Sequence, residues 1–360
     1  GFFGFYDCII TVDHQDKKLT VTSSGLPETA SSLRQKRAQQ HLEFINNKIF
    51  PTLNHPDICD SPTLESSSPS ETGPELISNF TPSEFVNTVE RALDYIRRGD
   101  IYQVNLSQRF ECELPSRDFD GFNLYKILSQ LSPSPFGAFL KANDWQIISN
   151  SPERFLRIQG RAIETSPMKG TRPRGATPFL DQKMRDEILA SPKEQAELLM
   201  ITDLERNDLG KVCEYGSVNV KDMRLLEEYK TVFQATATIE GMLRQDKDAF
   251  DALKACFPGG SISGCPKIRA MEIIEELEPA RRTLYTGALG YISFNGNSDF
   301  NILIRTLWTH YNHIYYQVGS GIVADSVPHE EYEETLVKAQ AMRASLQRAF
   351  IQHYPLQNIR

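Results

Sequence analysis

Between Ser151 and Gly175 the chain reads SPERFLRIQGRAIETSPMKGTRPRG, which sets a carboxylate, Glu153, and an amine, Lys169, at the ends of short apolar segments. Gly160 and Gly170 bracket one strand, 161–165, so the pair is expected at two strand ends of a hairpin. A plain exposed ion pair is one reading, since such pairs are common and weak. Pro167, Met168 and Gly170 support another: a Pro-Met-Lys-Gly-Thr turn that keeps water off the amine, so that desolvation leaves it a neutral nucleophile.

Other chemistry-bearing residues lie further along. Ser191-Pro192-Lys193-Glu194 is a capping box, and the helix it starts carries Glu197 among Leu198, Met200, Ile201 and Leu204. A last helix, 328–350, places Glu331 and Glu334 at i, i+3 on one side, with Lys338 a turn further on. Spacing alone allows a solvated helix with a Glu–Lys pair, or two carboxylates that with a third would suit Mg²⁺. Residues 257–267, FPGGSISGCPK, form a glycine-rich loop before a helix over 267–277; backbone N–H groups there make an anion site. A nucleotide-phosphate loop would end in Gly-Lys-Ser/Thr, and Gly264-Cys265-Pro266 breaks that pattern, so a carboxylate is the expected ligand.

These residues need elements to hold them. Thr81-Pro82-Ser83-Glu84 starts a helix with Phe85, Val89, Leu93 and Ile96 on one face, ended by Gly99. IYQVNLSQRFECEL then alternates as a strand; its polar side, Gln103, Asn105 and Ser107, is uncharged and is expected to line a polar cleft. Strands are expected over 217–243, 283–294, 301–310 and 314–322. Upstream, 1–25 reads as a hairpin around Asp16, 31–48 as a polar helix, and 51–78 as a Ser/Pro-rich linker. Strands and helices interleave without regular βαβ alternation, which points to an α+β fold.

Composition narrows the function classes. The net charge of −8 argues against a nucleic-acid binder. No apolar run reaches membrane-span length, and GFFGFYDCII lacks the basic leader of a signal peptide. It reads as a strand interrupted at its beginning. The six cysteines are scattered without a Cys-x-x-Cys pair, as expected of reduced thiols in a cytoplasm. No histidine lies between His55 and His310, which leaves a Ser-His-Asp triad or a His-based metal site without a centre.

Ordered motifs carry a resemblance over roughly 80–350: GDIYQVNL at 99–106, SPERF at 151–155, DLERND at 203–208, PGGSISGCPK at 258–267, YTGALGY at 285–291, Ile304-Arg305, and GSGIVADSVPHEEYEET at 319–335. Together they resemble the chorismate-utilising enzymes, the family of anthranilate, aminodeoxychorismate, isochorismate and salicylate synthases. The resemblance implies two curved, largely antiparallel β-sheets packed face to face with helices outside. Residues 1–50 would be a remnant of the family's N-terminal region and 79–350 the catalytic domain. It also implies roles. Lys169 would bond to ring carbon 2 while Glu153 protonates the departing 4-hydroxyl, and ammonia from a glutamine amidotransferase partner would then displace the lysine. Glu197, Glu331 and Glu334 would hold or support Mg²⁺. Arg305, Tyr285, Gly319, Gly321, Ser261, Lys338 and Gln234 would line the substrate. The lysine in PMKGT is similar to the aminodeoxychorismate branch, whereas anthranilate synthases usually carry alanine there. Gln103 stands where the water-using branches place a lysine, and Gln234 where the family usually has histidine. A non-catalytic binder of chorismate or of the amidotransferase is the alternative of another class.

Overall fold

The computed structural model describes residues 1–53, 73–116, 118–229 and 232–353. The chain divides into two compact units, Gly1–Ser70 and Glu71–Arg360. In the first, β1 (Cys8–Asp13) and β2 (Lys18–Ser23) pair antiparallel, followed by α1 (Ser31–Leu53). The Asp13 carboxylate accepts from the N–H groups of Gln15 and Asp16 at 2.9 Å each, which closes the turn expected around Asp16. Most of the Ser/Pro-rich segment read as a linker lies outside the described residues.

The second unit runs β3 (Ile77–Ser78), α2 (Pro82–Arg97), β4 (Gln103–Glu113), α3 (Gly121–Leu131), β5 (Phe136–Ala142), β6 (Trp145–Ser151), β7 (Arg154–Gln159), β8 (Ala162–Ser166) and β9 (Met168–Pro173). It continues with α4 (Pro178–Ala190), α5 (Pro192–Gly210), β10 (Asn219–Glu228), β11 (Val232–Met242), α6 (Ala249–Cys256), β12 (Gly264–Cys265) and α7 (Lys267–Leu277). The last elements are β13 (Ala288–Ile292), β14 (Ser298–Ile302), β15 (Thr306–His310), β16 (His313–Ile322) and α8 (Pro328–His353).

Among the described residues of this second unit the strands form two seven-stranded sheets. One is ordered β12-β4-β16-β15-β6-β5 with β3 on β4; the other is β10-β11-β8-β7-β14-β13 with β9 on β11. Every pair in both is antiparallel, as the resemblance implied. Helices cover the sheets through apolar faces. Leu124 and Leu128 of α3 and Met342 and Leu346 of α8 pack with Ile148, Leu307 and Tyr316 of the first sheet. Leu209 of α5 and Ala252 of α6 pack with Leu156, Ile163 and Ile239 of the second. The capping box of α2 forms as read: Thr81 Oγ1 accepts the Glu84 N–H at 3.3 Å and Glu84 accepts the Thr81 N–H at 2.8 Å.

Three sequence expectations are corrected. The stretch 301–310, read as one strand, is split: β14 ends at Ile302 in the second sheet and β15 begins at Thr306 in the first. The chain changes sheets through Arg305, whose φ of 48° is left-handed and interrupts the ladder. The strand expected over 283–294 is shorter, because Thr283 and Thr286 also have positive φ, and β13 starts only at Ala288. Lys169 lies in a strand rather than a turn. Pro167 breaks β8 from β9, yet both pair along β11, and Gly170 at φ 84° absorbs the register shift between Gln234 and Ala235 as a bulge.

Candidate active site

The hairpin β7–β8 turns at Gly160 and pairs Arg154 with Ser166, so Glu153 at its open end comes beside the start of β9. Lys169, the second residue of β9, points toward the other sheet: its Nζ lies 3.2 Å from where a Cβ on Gly321 of β16 would stand. Gln103 Nε2 is 3.0 Å from that same point. A side chain at 321 would therefore fill the space in which the amine and the carboxamide meet, and glycine keeps it open. The uncharged side of β4 does line the site, with Gln103 and Asn105 buried and both Gln103 amide atoms lacking a partner among the described residues.

Glu153 is 3% exposed. Burial pushes its carboxyl up to about 7, against the Ser261 hydroxyl, the Lys169 ammonium, the Met168 amide and Lys338, which all favour the anion. Ser261 lies close enough to act on Glu153, but neither Ser261 Oγ nor Glu153 Oε1 completes a well-formed hydrogen bond within the protein. Both polar atoms are thus open to a ligand. At neutral pH Glu153 is thus poised to give up a proton.

The sheet crossover places Arg305 in the same neighbourhood. Burial disfavours its charge while Glu153 favours it. Among the described residues no carboxylate lies within ion-pair distance of its guanidinium. A half-buried guanidinium fork with no carboxylate partner is a site for a planar anion. The Tyr285 hydroxyl is 2.8 Å from the Cβ position of Gly319, and Lys338 Nζ donates to the Gly319 carbonyl at 3.0 Å. Gly319 and Gly321 pair with Ser107 and Asn105 on β4, which fixes their backbone. Gln234 sits in β11 opposite Thr171, buried, with neither amide atom partnered among the described residues.

The amine is not in an apolar turn: Lys169 Nζ is 3.4 Å from Glu197 Oε2 on α5. Glu334 pairs with Lys338 at 2.6 Å. Burial alone would raise the Glu334 carboxyl; Lys338, with help from Lys169 and Lys193, outweighs it and holds the group below its usual range. Glu331, buried, accepts from the hydroxyls of Ser320 and Ser326 and lies 3.8 Å from Lys193. Among the described residues no three His, Cys, Asp or Glu side chains are gathered as a metal-ligand set. The chemistry of Glu197, Glu331 and Glu334 nevertheless suits a hard divalent cation. All three offer carboxylate oxygens, and all three are partnered by lysines that such a cation could supplant.

One buried acid was not singled out from the sequence. Glu205, in the DLERND motif on α5, accepts from Thr165 Oγ1 at 2.8 Å and is pushed by burial to about 8. The signal was present. Glu205 shares α5 with Leu198, Ile201 and Leu209, the same apolar setting that marked Glu197.

Two antiparallel sheets with an acid, an amine and an unneutralised arginine between their strands define an enzyme-like carboxylate site, and the comparisons give its class. The family described as chorismate binding enzyme matches residues 1–344, and the chain belongs to it. Among its relatives, the chain is 39% identical over 349 residues to aminodeoxychorismate synthase component 1 of Bacillus subtilis, covering 96% of this chain and 70% of that protein. It is 46% identical over 272 residues to anthranilate synthase component 1 of Aquifex aeolicus, covering 75% of this chain and 54% of that protein. The crystal structure of anthranilate synthase component I from Streptococcus pneumoniae superposes with a TM-score of 0.79 at 34% identity, covering 94% of this chain and 72% of that one. The chain thus spans between about half and seven-tenths of the relatives named here. Among the described residues no helix is long and apolar enough to cross a membrane.

Proposed function

We propose that this chain aminates chorismate to 4-amino-4-deoxychorismate, through a covalent bond between substrate and Lys169. The observation that carries the reading is the placement of Lys169 Nζ in the gap kept open by Gly321, near a buried Glu153 whose carboxyl is raised to about 7 and so can both hold and give a proton at neutral pH. Lys169, freed from Glu197 as substrate binds and with its ammonium proton lost to solvent, forms the bond to ring carbon 2 through its lone pair. The ring double bond shifts, the bond from carbon 4 to its hydroxyl breaks, and Glu153 delivers its proton so that water leaves. Ammonia then adds at carbon 4, the double bond returns, and the bond to Lys169 breaks. The Glu153 carboxylate recovers its proton from the new ammonium. Arg305 grips one substrate carboxylate, with Tyr285 and the Gly319–Gly321 backbone beside it. Glu197, Glu331 and Glu334 would hold Mg²⁺, which when bound neutralises a second carboxylate. The ammonia would come from a glutamine amidotransferase on a separate chain. Incubation with chorismate, Mg²⁺ and ammonium salt should yield the 4-amino product by mass and chromatography. Fluorescent anthranilate instead would assign the chain to the anthranilate branch, which the Aquifex relative keeps in view.

Gly319→Ala tests the carboxylate end. Its Cβ would stand 2.7 Å from both Asn105 Oδ1 and the Leu106 carbonyl and 2.8 Å from the Tyr285 hydroxyl, so Tyr285 must move. We expect chorismate to bind at least about tenfold more weakly, a loss of about 1.4 kcal/mol, by calorimetry. Unchanged affinity would remove Tyr285 and Gly319 from the site.

A further inference from the structure

The substrate-facing groups divide between two supports. Lys169 belongs to the second sheet and Glu153 immediately precedes its strand β7, whereas Ser261, Tyr285, Gly319 and Gln103 belong to the glycine-rich loop, the segment after α7, and strands β16 and β4. One largely enclosed side chain, Arg282, ties the second group together without being needed by the reaction. Arg282 donates from Nε to Glu278 Oε2 at 3.0 Å and from Nη2 to Glu278 Oε1 at 2.7 Å. It also donates from Nη1 to the Ile262 carbonyl at 2.8 Å and from Nη2 to the Asn105 carbonyl at 2.6 Å. Its guanidinium carbon stands 5.6 Å from the centre of the Tyr285 ring.

Glu278 extends the tie. Its Oε1 accepts the Ser107 N–H at 2.9 Å and the Ser107 hydroxyl at 2.7 Å, and that hydroxyl accepts from Gln317 of β16 at 2.8 Å. The network therefore joins the residue after Ser261, the strand carrying Gln103 and Asn105, the strand carrying Gly319, and the face of Tyr285. The Glu278 side chain is 3% exposed, which makes the fork costly to break and hard to replace by water. Lysine could not substitute: it presents its donors from one point, whereas here three guanidinium nitrogens span four acceptors.

We infer that Arg282, clamped by Glu278, is a positioning residue for the end of the site formed by Tyr285 and Gly319, where a substrate carboxylate would sit, and that it acts on binding rather than on the covalent step. This rests on the reading of the site as a chorismate site. The test is Arg282→Lys in the full chain, with Glu278→Gln as a second variant that keeps the shape and removes the clamping charge. For both, the Kd for chorismate is measured by calorimetry, KM and kcat by amination with ammonium salt, and the folded fraction by thermal unfolding. Both variants should raise Kd and KM about tenfold, the cost of slackening one charge-assisted contact at the site. Their kcat per folded molecule should stay within about threefold of the parent. A fall in kcat at unchanged KM and Kd, or loss of activity that merely tracks the unfolded fraction, overturns the inference. If the parent binds chorismate without aminating it, the amination reading falls while the Kd ratio still decides the role of Arg282. If the parent does not bind chorismate, both fall together.

Discussion

Lys169→Ala should abolish the covalent step and with it most of the amination rate. The parent, exposed to chorismate without ammonia, should gain the mass of chorismate less water on one peptide containing residue 169; the alanine variant should gain none. With ammonium salt present, amination by the variant should fall by roughly 10²–10⁴, the range that a positioned reactive group commonly supplies. The substitution removes one partner of Glu197 but no buried apolar packing, so the variant should fold. Lys169 sits at a strand bulge, with its ammonium 3.4 Å from Glu197 and its neighbour Gly170 in a left-handed conformation. An equal adduct on the variant, or an adduct elsewhere in the chain, would defeat the role given to this amine.

The resting ion pair bears on how that amine becomes a nucleophile. The reading requires Glu197 to release Lys169 when the site fills; Glu197 would be among the residues that hold Mg²⁺, whose charge would compete with Lys169 for its carboxylate. An adduct that forms only when Mg²⁺ is added would connect the three glutamates to Lys169 through one event. An adduct that forms equally in chelator would place the metal role elsewhere.

How much of this was legible before the structure differs from element to element. The hairpin under Glu153 was readable because Gly160 marks its turn, and α2 because a capping box is a local code that needs no distant partner. The cleft-lining side of β4 was readable because Gln103 and Asn105 are uncharged in an alternating strand. Lys169 was misread as a turn residue because proline and glycine flank it; only the pairing of both β8 and β9 with β11 shows a strand broken and resumed. The change of sheet at Arg305 left no trace in FNILIRTLWTH, since the alternation continues through it and the left-handed φ is imposed by tertiary packing. Glu331 and Glu334 both lie on α8, but spacing could not tell that two serine hydroxyls hydrogen-bond to the buried first while Lys338 pairs with the exposed second. The Arg282–Glu278 clamp was invisible, because its partners at 105, 107 and 262 are distant in sequence.

Glu205 gives the prediction with the largest effect on stability. Its carboxyl is buried, and its folded pKa is raised from 4.5 to about 8, chiefly by desolvation. Thr165, donating its hydroxyl, and Lys267 oppose the shift; Glu153 and Asp208 add to it. The sign follows from proton binding. In the unfolded chain Glu205 ionises near its ordinary pKa, while the folded chain keeps its proton until about 8. Folding is therefore disfavoured progressively across that interval and by a constant amount above it. Glutamine cannot ionise, and its carbonyl can still accept from Thr165, so Glu205→Gln removes the penalty and keeps the contact. At pH 5 the variant and the parent should unfold at similar temperatures. At pH 9 the variant should be the more stable by a few kcal/mol, on the order of 5 °C or more in Tm. A variant that follows the parent at every pH would mean that Glu205 is already ionised in the fold. In that case the raised proton affinity of the buried acids on this side of the site, Glu153 included, would have to be given up as well.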